Sequence, residues 1–138
     1  MLEHGGNLYQ ASKDYGIPLN DWLDLSTGIN PNGWSVPTTL PAELWSQLPQ
    51  QDNGLITAAQ DYYQCESLIA VAGSQAAIQI LPTLRKPSRV GILSPAYAEH
   101  AYAWQQAGHE VMSLSSDTVA NIINQLDVLI IVNPNNPT

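Results

Sequence analysis

The sequence predicts an α/β fold, in which a mostly parallel sheet with helical crossovers is preceded by an extended N-terminal arm. Two observations predict this fold. From about residue 67 onward, short runs of aliphatic and β-branched residues alternate with amphipathic segments, as in βα units. The first 50 residues instead combine glycine, proline and tryptophan without that alternation. We therefore divide the chain into an arm, residues 1–50, and an α/β segment, residues 51–138.

Within the arm we predict one short helix near Ala11 or Lys13, and residues 24–26 are a candidate for a short strand. Trp22, Trp34 and Trp45 are spread along the arm. Large aromatic side chains bury much apolar area, so they suit docking onto something larger. We do not expect the arm to be an independent domain.

In the α/β segment helices and strands are predicted to alternate. The helices are expected over 55–64, 74–84, 96–107 and 117–126, and the strands over 68–72, 89–93, 110–114 and 127–132. Asp52 or Asn53 caps the first helix, Pro82 breaks the second, Gly108 ends the third and Asp117 caps the fourth. The last strand is almost wholly apolar, which predicts a fully buried parallel strand.

Composition excludes several classes of function. The chain has 138 residues, of which 44% are hydrophobic, so it can bury a core. Its net charge of −8 disfavours nucleic-acid binding, which needs a basic face. There is no apolar run of the roughly 18–20 residues that a membrane span needs, and the N-terminus does not resemble a signal peptide. The single cysteine, Cys65, excludes an internal disulfide, suits a reducing cytoplasm and is expected to be at least half-buried.

Three turns follow predicted strands, where α/β proteins bind ligands. Gly73 and Ser74 begin a helix, and its free N–H groups favour a phosphate, with Ser74 as the N-cap. Tyr97 could stack on a planar ligand, and Asn136 could hydrogen-bond one. The structural alternatives are an ordinary turn, core packing and an Asx turn. Because one glycine replaces the G-x-G-x-x-G pattern, a dinucleotide site is disfavoured.

Two glycine-containing polar clusters in the arm, residues 4–7 and 26–31, suggest close approach of the backbone to a ligand, although either could be a simple turn. His100 and His109 have no companion at the spacing of metal ligands. We therefore expect no metal site.

These signals together resemble the fold-type-I pyridoxal-phosphate (PLP) enzymes of the class I/II aminotransferase superfamily. The resemblance lies in Gly-Ser-Gln at 73–75, Pro-x-Tyr at 95–97 and Asn-Pro-Asn-Asn-Pro-Thr at 133–138. His-Gly-Gly-Asn-Leu at 4–8, residues 22–31, 45–49 and 95–100 resemble its threonine-phosphate decarboxylase branch in cobalamin biosynthesis. The chain would be the N-terminal part of such an enzyme: an arm and the first part of the PLP-binding large domain.

The resemblance implies a role for each motif. Ser74 and Gln75 would hold the phosphate of PLP, Tyr97 would stack on its ring, and Asn136 would hydrogen-bond the ring oxygen. The substrate side would comprise His4 and the 27–30 loop, with Ile29 and Asn30. The substrate would be L-threonine O-3-phosphate, the product (R)-1-amino-2-propanol O-2-phosphate, and the enzyme a cytoplasmic homodimer.

The same resemblance implies that essential groups lie beyond residue 138. Neither Lys13 nor Lys86 has the Ser-x-x-Lys context of the lysine that forms the Schiff base, so we expect no catalytic residue and no turnover in this chain alone. Leu48 stands where many relatives carry a tyrosine that reaches a cofactor phosphate. Three alternatives remain: an aminotransferase of the histidinol-phosphate type, a non-catalytic α/β module that binds a phosphorylated ligand, and an acidic interaction domain, which rests only on the net charge.

Overall fold

A computed structural model describes residues 5–48, 50 and 54–135. The chain divides into two compact units, Met1–Gln51 and Asp52–Thr138, and each is described by itself.

The first unit contains one α-helix and two 3₁₀ turns. Helix α1 spans Leu8–Tyr15, and the 3₁₀ turns span Leu19–Asp21 and Ala42–Trp45. The side chain of Asn7 accepts a hydrogen bond from the Gln10 N–H at the start of α1, and Gly16 ends the helix with a φ of 67°. The short helix predicted in the arm is confirmed.

The strand considered for residues 24–26 is wrong. The Asp24 carboxylate accepts hydrogen bonds from both the backbone N–H and the hydroxyl of Ser26, at 2.8 and 2.6 Å. This local Asx turn competes with an extended ladder, as short polar side chains commonly do.

The second unit is built on a parallel sheet, as predicted. Its strands are β1, Arg89–Leu93, β2, Glu110–Leu114, and β3, Val128–Ile130, in the order β2-β1-β3. Arg89 pairs with Glu110, and Val90 pairs with Val128, both in parallel register. Because β1 lies between the other two strands, it is the most buried of the three.

Helices connect these strands. Two helices precede the sheet, α2 at Leu55–Tyr63 and α3 at Gly73–Ile80. Two others form the crossovers, α4 at Ala98–Gln106 and α5 at Ser116–Ile122. Short 3₁₀ turns extend α3 over Leu81–Leu84 and α5 over Ile123–Gln125. Among the helices of the described ranges, none is long and apolar enough to cross a membrane.

The core of this unit lies between β1 and α4. Val90 and Ile92 on one face of β1 pack with Trp104 of α4. Gly91 faces the opposite side, where an added Cβ would lie 2.6 Å from a methyl group of Leu114 and 2.7 Å from one of Leu126. A glycine therefore lets two leucines close over the central strand.

Most elements fall where the sequence predicts them. Pro82 does end the α3 helix, since α3 changes to a 3₁₀ turn beside it, and Gly108 follows α4 with a φ of 84°. The predicted caps of α2, Asp52 and Asn53, lie outside the described residues.

Four further expectations, all for the second unit, are wrong. Residues 68–72 form no strand, because a strand needs a paired neighbour and the described sheet provides none for them. Ser115, not Asp117, caps α5, through a reciprocal capping box with Thr118. The last strand is shorter than 127–132 and only half-buried, because it has β1 on one side only in the described sheet. Cys65 is exposed, and its thiol donates to the Ser67 carbonyl.

Candidate functional site

A cavity of about 760 Å³ opens beside the carboxyl end of β3, between the first turns of α3 and α4. Its volume is within the roughly 300–1,000 Å³ range of small-molecule sites. Its wall is formed by Ser74, Gln75, Ala77, Ile78, Leu81, Tyr97, His100, Trp104, Ile130 and Val132. Three of the four predicted cofactor-binding residues, Ser74, Gln75 and Tyr97, are therefore brought together.

The polar end of this cavity is the N-terminus of α3. Gly73 has a φ of 80°, a backbone conformation that favours glycine, as the sequence predicts. Ala72 occupies the N-cap position without a side-chain hydrogen bond, so the expected cap by Ser74 is wrong. The first N–H groups of a helix have no partner within it, and the helix dipole adds positive potential. Beside the Ser74 side chain, this end suits an anion.

Gln75 connects α3 to α4. Its side-chain nitrogen donates to a carboxylate oxygen of Glu99 at 3.1 Å. Glu99 lies in the first turn of α4, where an acid is favourable. The side-chain amide of Gln75 is thus engaged with Glu99, and its backbone N–H belongs to the first turn of α3 that faces the cavity.

Tyr97 occupies the N-cap position of α4, directly before the helix begins. Its ring lies edge-on to that of His100, with 6.3 Å between the ring centroids and 85° between the planes. The backbone N–H of His100 also donates to the Tyr97 carbonyl at 3.2 Å. Burial lowers the pKa of His100, which favours a neutral imidazole. Tyr97 and His100 thus contribute two nearly perpendicular rings to the cavity wall.

Two cavity residues, His100 and Trp104, were not predicted as site residues. They follow Tyr97 by three and seven positions, so helical periodicity puts all three on one face of α4. This spacing is visible in the sequence, so it could have been used to predict His100 and Trp104 as wall residues.

Trp104 is held in place from behind the cavity by His109. The two rings meet at a centroid distance of 4.6 Å, and His109 is only 7% exposed. Nδ1 of His109 accepts from the Ser88 N–H at 3.1 Å, which places the ring proton on Nε2, 2.9 Å from the Pro82 carbonyl oxygen. Both ring nitrogens are therefore used in fixing the base of the cavity wall.

The loop after β3 reaches the turn after β1. The Asn135 side-chain nitrogen donates to the Pro95 carbonyl at 2.8 Å. Asn136, the fourth predicted cofactor-binding residue, lies outside the described residues, as does His4. Their predicted roles stay predictions.

In the first unit, the structure brings the two glycine-containing clusters together. A Cβ at Gly5 would overlap the carbonyl oxygen of Ser26, and the Gly6 N–H donates to the Ser26 hydroxyl at 2.8 Å. A cavity of about 530 Å³ lies here, and Gly5, Gly6 and Ser26 contribute to its wall. Ile29 and Asn30 are not part of that wall and are exposed. The close backbone approach is therefore between the clusters themselves.

The chain is similar over its length to proteins named threonine-phosphate decarboxylase. It is 56% identical over 138 residues to the one from Pseudomonas aeruginosa, covering 100% of this chain and 41% of that protein. The proteins from Sinorhizobium sp and Salmonella typhimurium are 39% and 30% identical over 145 and 154 residues. These alignments cover 99% and 98% of this chain, and 42% of each relative. This chain is related to the threonine-phosphate decarboxylases.

That relationship confirms the resemblance predicted from the motifs. No family model matches the chain. The chain spans about two fifths of the length of its threonine-phosphate decarboxylase relatives. Its parallel sheet with helical crossovers is consistent with part of a fold-type-I PLP enzyme. Within the described residues no group of three histidine, cysteine, aspartate or glutamate side chains could hold a metal ion.

Proposed function

We propose that this chain is part of a PLP-dependent carboxy-lyase that converts L-threonine O-3-phosphate to (R)-1-amino-2-propanol O-2-phosphate in cobalamin biosynthesis. The observation that carries this proposal is the 56% identity, over every residue of the chain, to a protein named for that activity. The cavity supports the proposed cofactor independently, because three residues selected from the motifs line the same cavity.

The donors and surfaces of the cavity fit PLP. Its phosphate would lie at the N-terminus of α3, held by backbone N–H groups and Ser74. The Tyr97 ring would cover one face of the pyridine ring, and Ile130 and Val132 provide apolar surface that excludes water. Asn136 would donate to the ring oxygen. When bound, PLP supplies an electron sink for the electron pair left behind by departing carbon dioxide.

The charges around the cavity limit what this chain can do alone. The cations among the described residues of the second unit are Arg85, Lys86 and Arg89, and none of them lines the cavity. Among the described residues of this unit, the groups that would meet the phosphate charge are the dipole of α3 and neutral donors. Neither Lys13 nor Lys86 has the Ser-x-x-Lys context of a lysine that forms the Schiff base. We propose accordingly that these 138 residues alone have no turnover.

A product assay tests the proposal. The full-length product of the gene encoding this chain is incubated with PLP and L-threonine O-3-phosphate, and carbon dioxide and aminopropanol phosphate are quantified. We expect both in equal amounts. Ser74→Ala should weaken PLP binding about tenfold, as loss of a hydrogen bond to a charged group does. Ser35→Ala, at an exposed position, serves as the matched control.

The assay also separates the main alternative. An aminotransferase of the histidinol-phosphate type would release no carbon dioxide and would move the amino group to an added 2-oxo acid. Amino transfer without carbon dioxide would overturn the decarboxylase proposal. Failure to bind PLP would also overturn the proposal that PLP is the cofactor. It would favour a module that only binds a phosphorylated ligand.

We further propose that the full-length protein is a cytoplasmic homodimer. Its substrate would be the phosphorylated amino acid. The net charge of −8 supports the absence of a nucleic-acid partner. His4, Ile29 and Asn30 would lie on the substrate side. Light scattering that gave a monomer mass for the active protein would contradict the dimer. An Asn30→Ala variant with unchanged KM for the phosphorylated substrate would contradict that residue's role.

A further inference from the structure

Asn135 makes a contact that joins two loops at the carboxyl edge of the sheet. Its side-chain nitrogen donates to the Pro95 carbonyl at 2.8 Å, across 40 positions of sequence. Pro95 belongs to the turn after β1, and Asn135 to the loop after β3. The acceptor is a backbone oxygen, so the contact fixes the path of the main chain in the β1 turn.

Asn135 lies outside the wall of the large cavity. It lines a separate small cavity of about 210 Å³, together with Ser94 and Pro95. Val132 contributes to both this small cavity and the large one, so it separates them. Asn135 can therefore set the position of the wall of the large cavity without touching a ligand.

Each end of this hydrogen bond lies within two residues of a predicted cofactor contact. Tyr97 follows Pro95 by two residues, and Asn136 follows Asn135 directly. Consecutive Cα atoms are about 3.8 Å apart, so anchoring one residue limits where its neighbour can lie. We propose that Asn135 is a positioning residue, which sets the spacing between the Tyr97 loop and the loop that carries Asn136. This inference rests on the proposed PLP site.

The test uses the full-length gene product and PLP itself. Asn135→Ala removes the donor, and Asn135→Asp keeps the shape but replaces the donor with an acceptor. Asn133→Ala is the matched control, since Asn133 is an exposed asparagine of the same loop. Two quantities are measured: the dissociation constant for PLP, and the pH midpoint of the visible absorbance change of the bound cofactor. The midpoint responds to hydrogen bonds on the ring oxygen, so a purely structural weakening leaves it unchanged.

We expect Asn135→Ala and Asn135→Asp to weaken PLP binding about three- to tenfold. Both should move the pH midpoint in the direction produced by Asn136→Ala, and by less. In the double variant Asn135→Ala with Asn136→Ala, the midpoint should shift by less than the sum of the single shifts, because both act on one contact. Asn133→Ala should change neither quantity.

Circular dichroism of each variant without PLP verifies that it folds. If Asn135→Ala does not fold, Asn135→Ser, whose side chain is too short to span the contact, is measured in its place. A wild-type dissociation constant and midpoint in the folded variants would overturn the role of Asn135 while leaving the proposed function intact. A wild-type protein that binds no PLP would overturn the proposed function, and the inference with it.

Discussion

Two of the three tryptophan side chains of the first unit are largely exposed, whereas the tryptophan of the second unit is buried. Trp34 and Trp45 of the first unit are 80% and 78% exposed, whereas Trp104 of the second is 7% exposed. Trp104 lies between α4 and the face of β1, where two layers of structure cover it. The described residues of the first unit form no sheet. Apolar content alone therefore does not produce a core; a second layer must be present to cover it.

The interactions within each unit are also of different kinds. The second unit relies on burial of side chains such as Val90 and Ile92 against α4. The first unit relies on local hydrogen bonds, in which Asp24 accepts from Ser26 and Ser26 accepts from Gly6. We call the contacts among Gly5, Gly6, Asp24 and Ser26 the clamp of the first unit. The stability gained by burial depends on side-chain volume, whereas the stability of the clamp depends on backbone geometry and pH. Substitutions in the two units should therefore have different effects on stability.

Removal of the tryptophan ring gives the largest expected difference. Trp104→Ala should cost about 3–5 kcal/mol of unfolding free energy, through lost burial and a cavity beside β1. Trp45→Ala should change it by no more than about 0.5 kcal/mol, because the ring is exposed. Denaturant unfolding of the two variants measures both values. Equal costs would show that the comparison between the units is wrong.

A methyl group added to the clamp of the first unit should have the next largest effect. A Cβ at Gly5 would overlap the Ser26 carbonyl oxygen, whereas one at Gly28 would meet no atom within 4 Å. Gly5→Ala should cost about 1–3 kcal/mol of local stability, as overpacking does. Hydrogen exchange of the Gly6 amide, which the clamp protects, reports this loss. Unchanged exchange in Gly5→Ala, or equally fast exchange in Gly28→Ala, would contradict the clamp.

Acidification should affect the two units in different pH windows, with small effects. Burial lowers the pKa of His100, so the unfolded chain binds this proton more readily, and stability falls as pH drops through about 6.5. The Ser26 hydroxyl, followed by its N–H, lowers the pKa of Asp24. That contribution is complete above about pH 4 and is lost below it.

NMR titration of the two side chains tests this order. Ser26→Ala should return the pKa of Asp24 toward its ordinary value and leave the His100 titration unchanged. A pKa of His100 above the ordinary value would contradict its burial in the cavity wall.

Regular patterns predicted much of the second unit. The alternation of apolar runs and amphipathic segments predicted three parallel strands and their crossover helices, and the helix break at Pro82 follows from its missing N–H. Features that depend on pairing with another segment of the chain were not predictable in this way. Residues 68–72 have strand-like composition, yet pairing decides whether a strand forms, and the sequence of one segment does not contain its neighbours.

The candidate site was predictable in part for the same reason. Ser74, Gln75 and Tyr97 each belong to a local motif, and the fold places all three on one cavity. The link from Gln75 to Glu99 spans 24 positions, and that from Asn135 to Pro95 spans 40. Such contacts depend on how two strand ends and two helix starts are placed in space. No local pattern in the sequence specifies them.

The central proposal is that PLP binds in the cavity of the second unit, against Tyr97. Spectroscopic titration of the full-length gene product with PLP tests it, using Tyr97→Ala and the matched variant Tyr102→Ala. Tyr102 lies on the same helix, outside the cavity wall. We expect Tyr97→Ala to weaken PLP binding about tenfold, since stacking adds about 0.5–1.5 kcal/mol to simple burial. Tyr102→Ala should bind like the wild type. Equal dissociation constants for the wild type and Tyr97→Ala would contradict the claim.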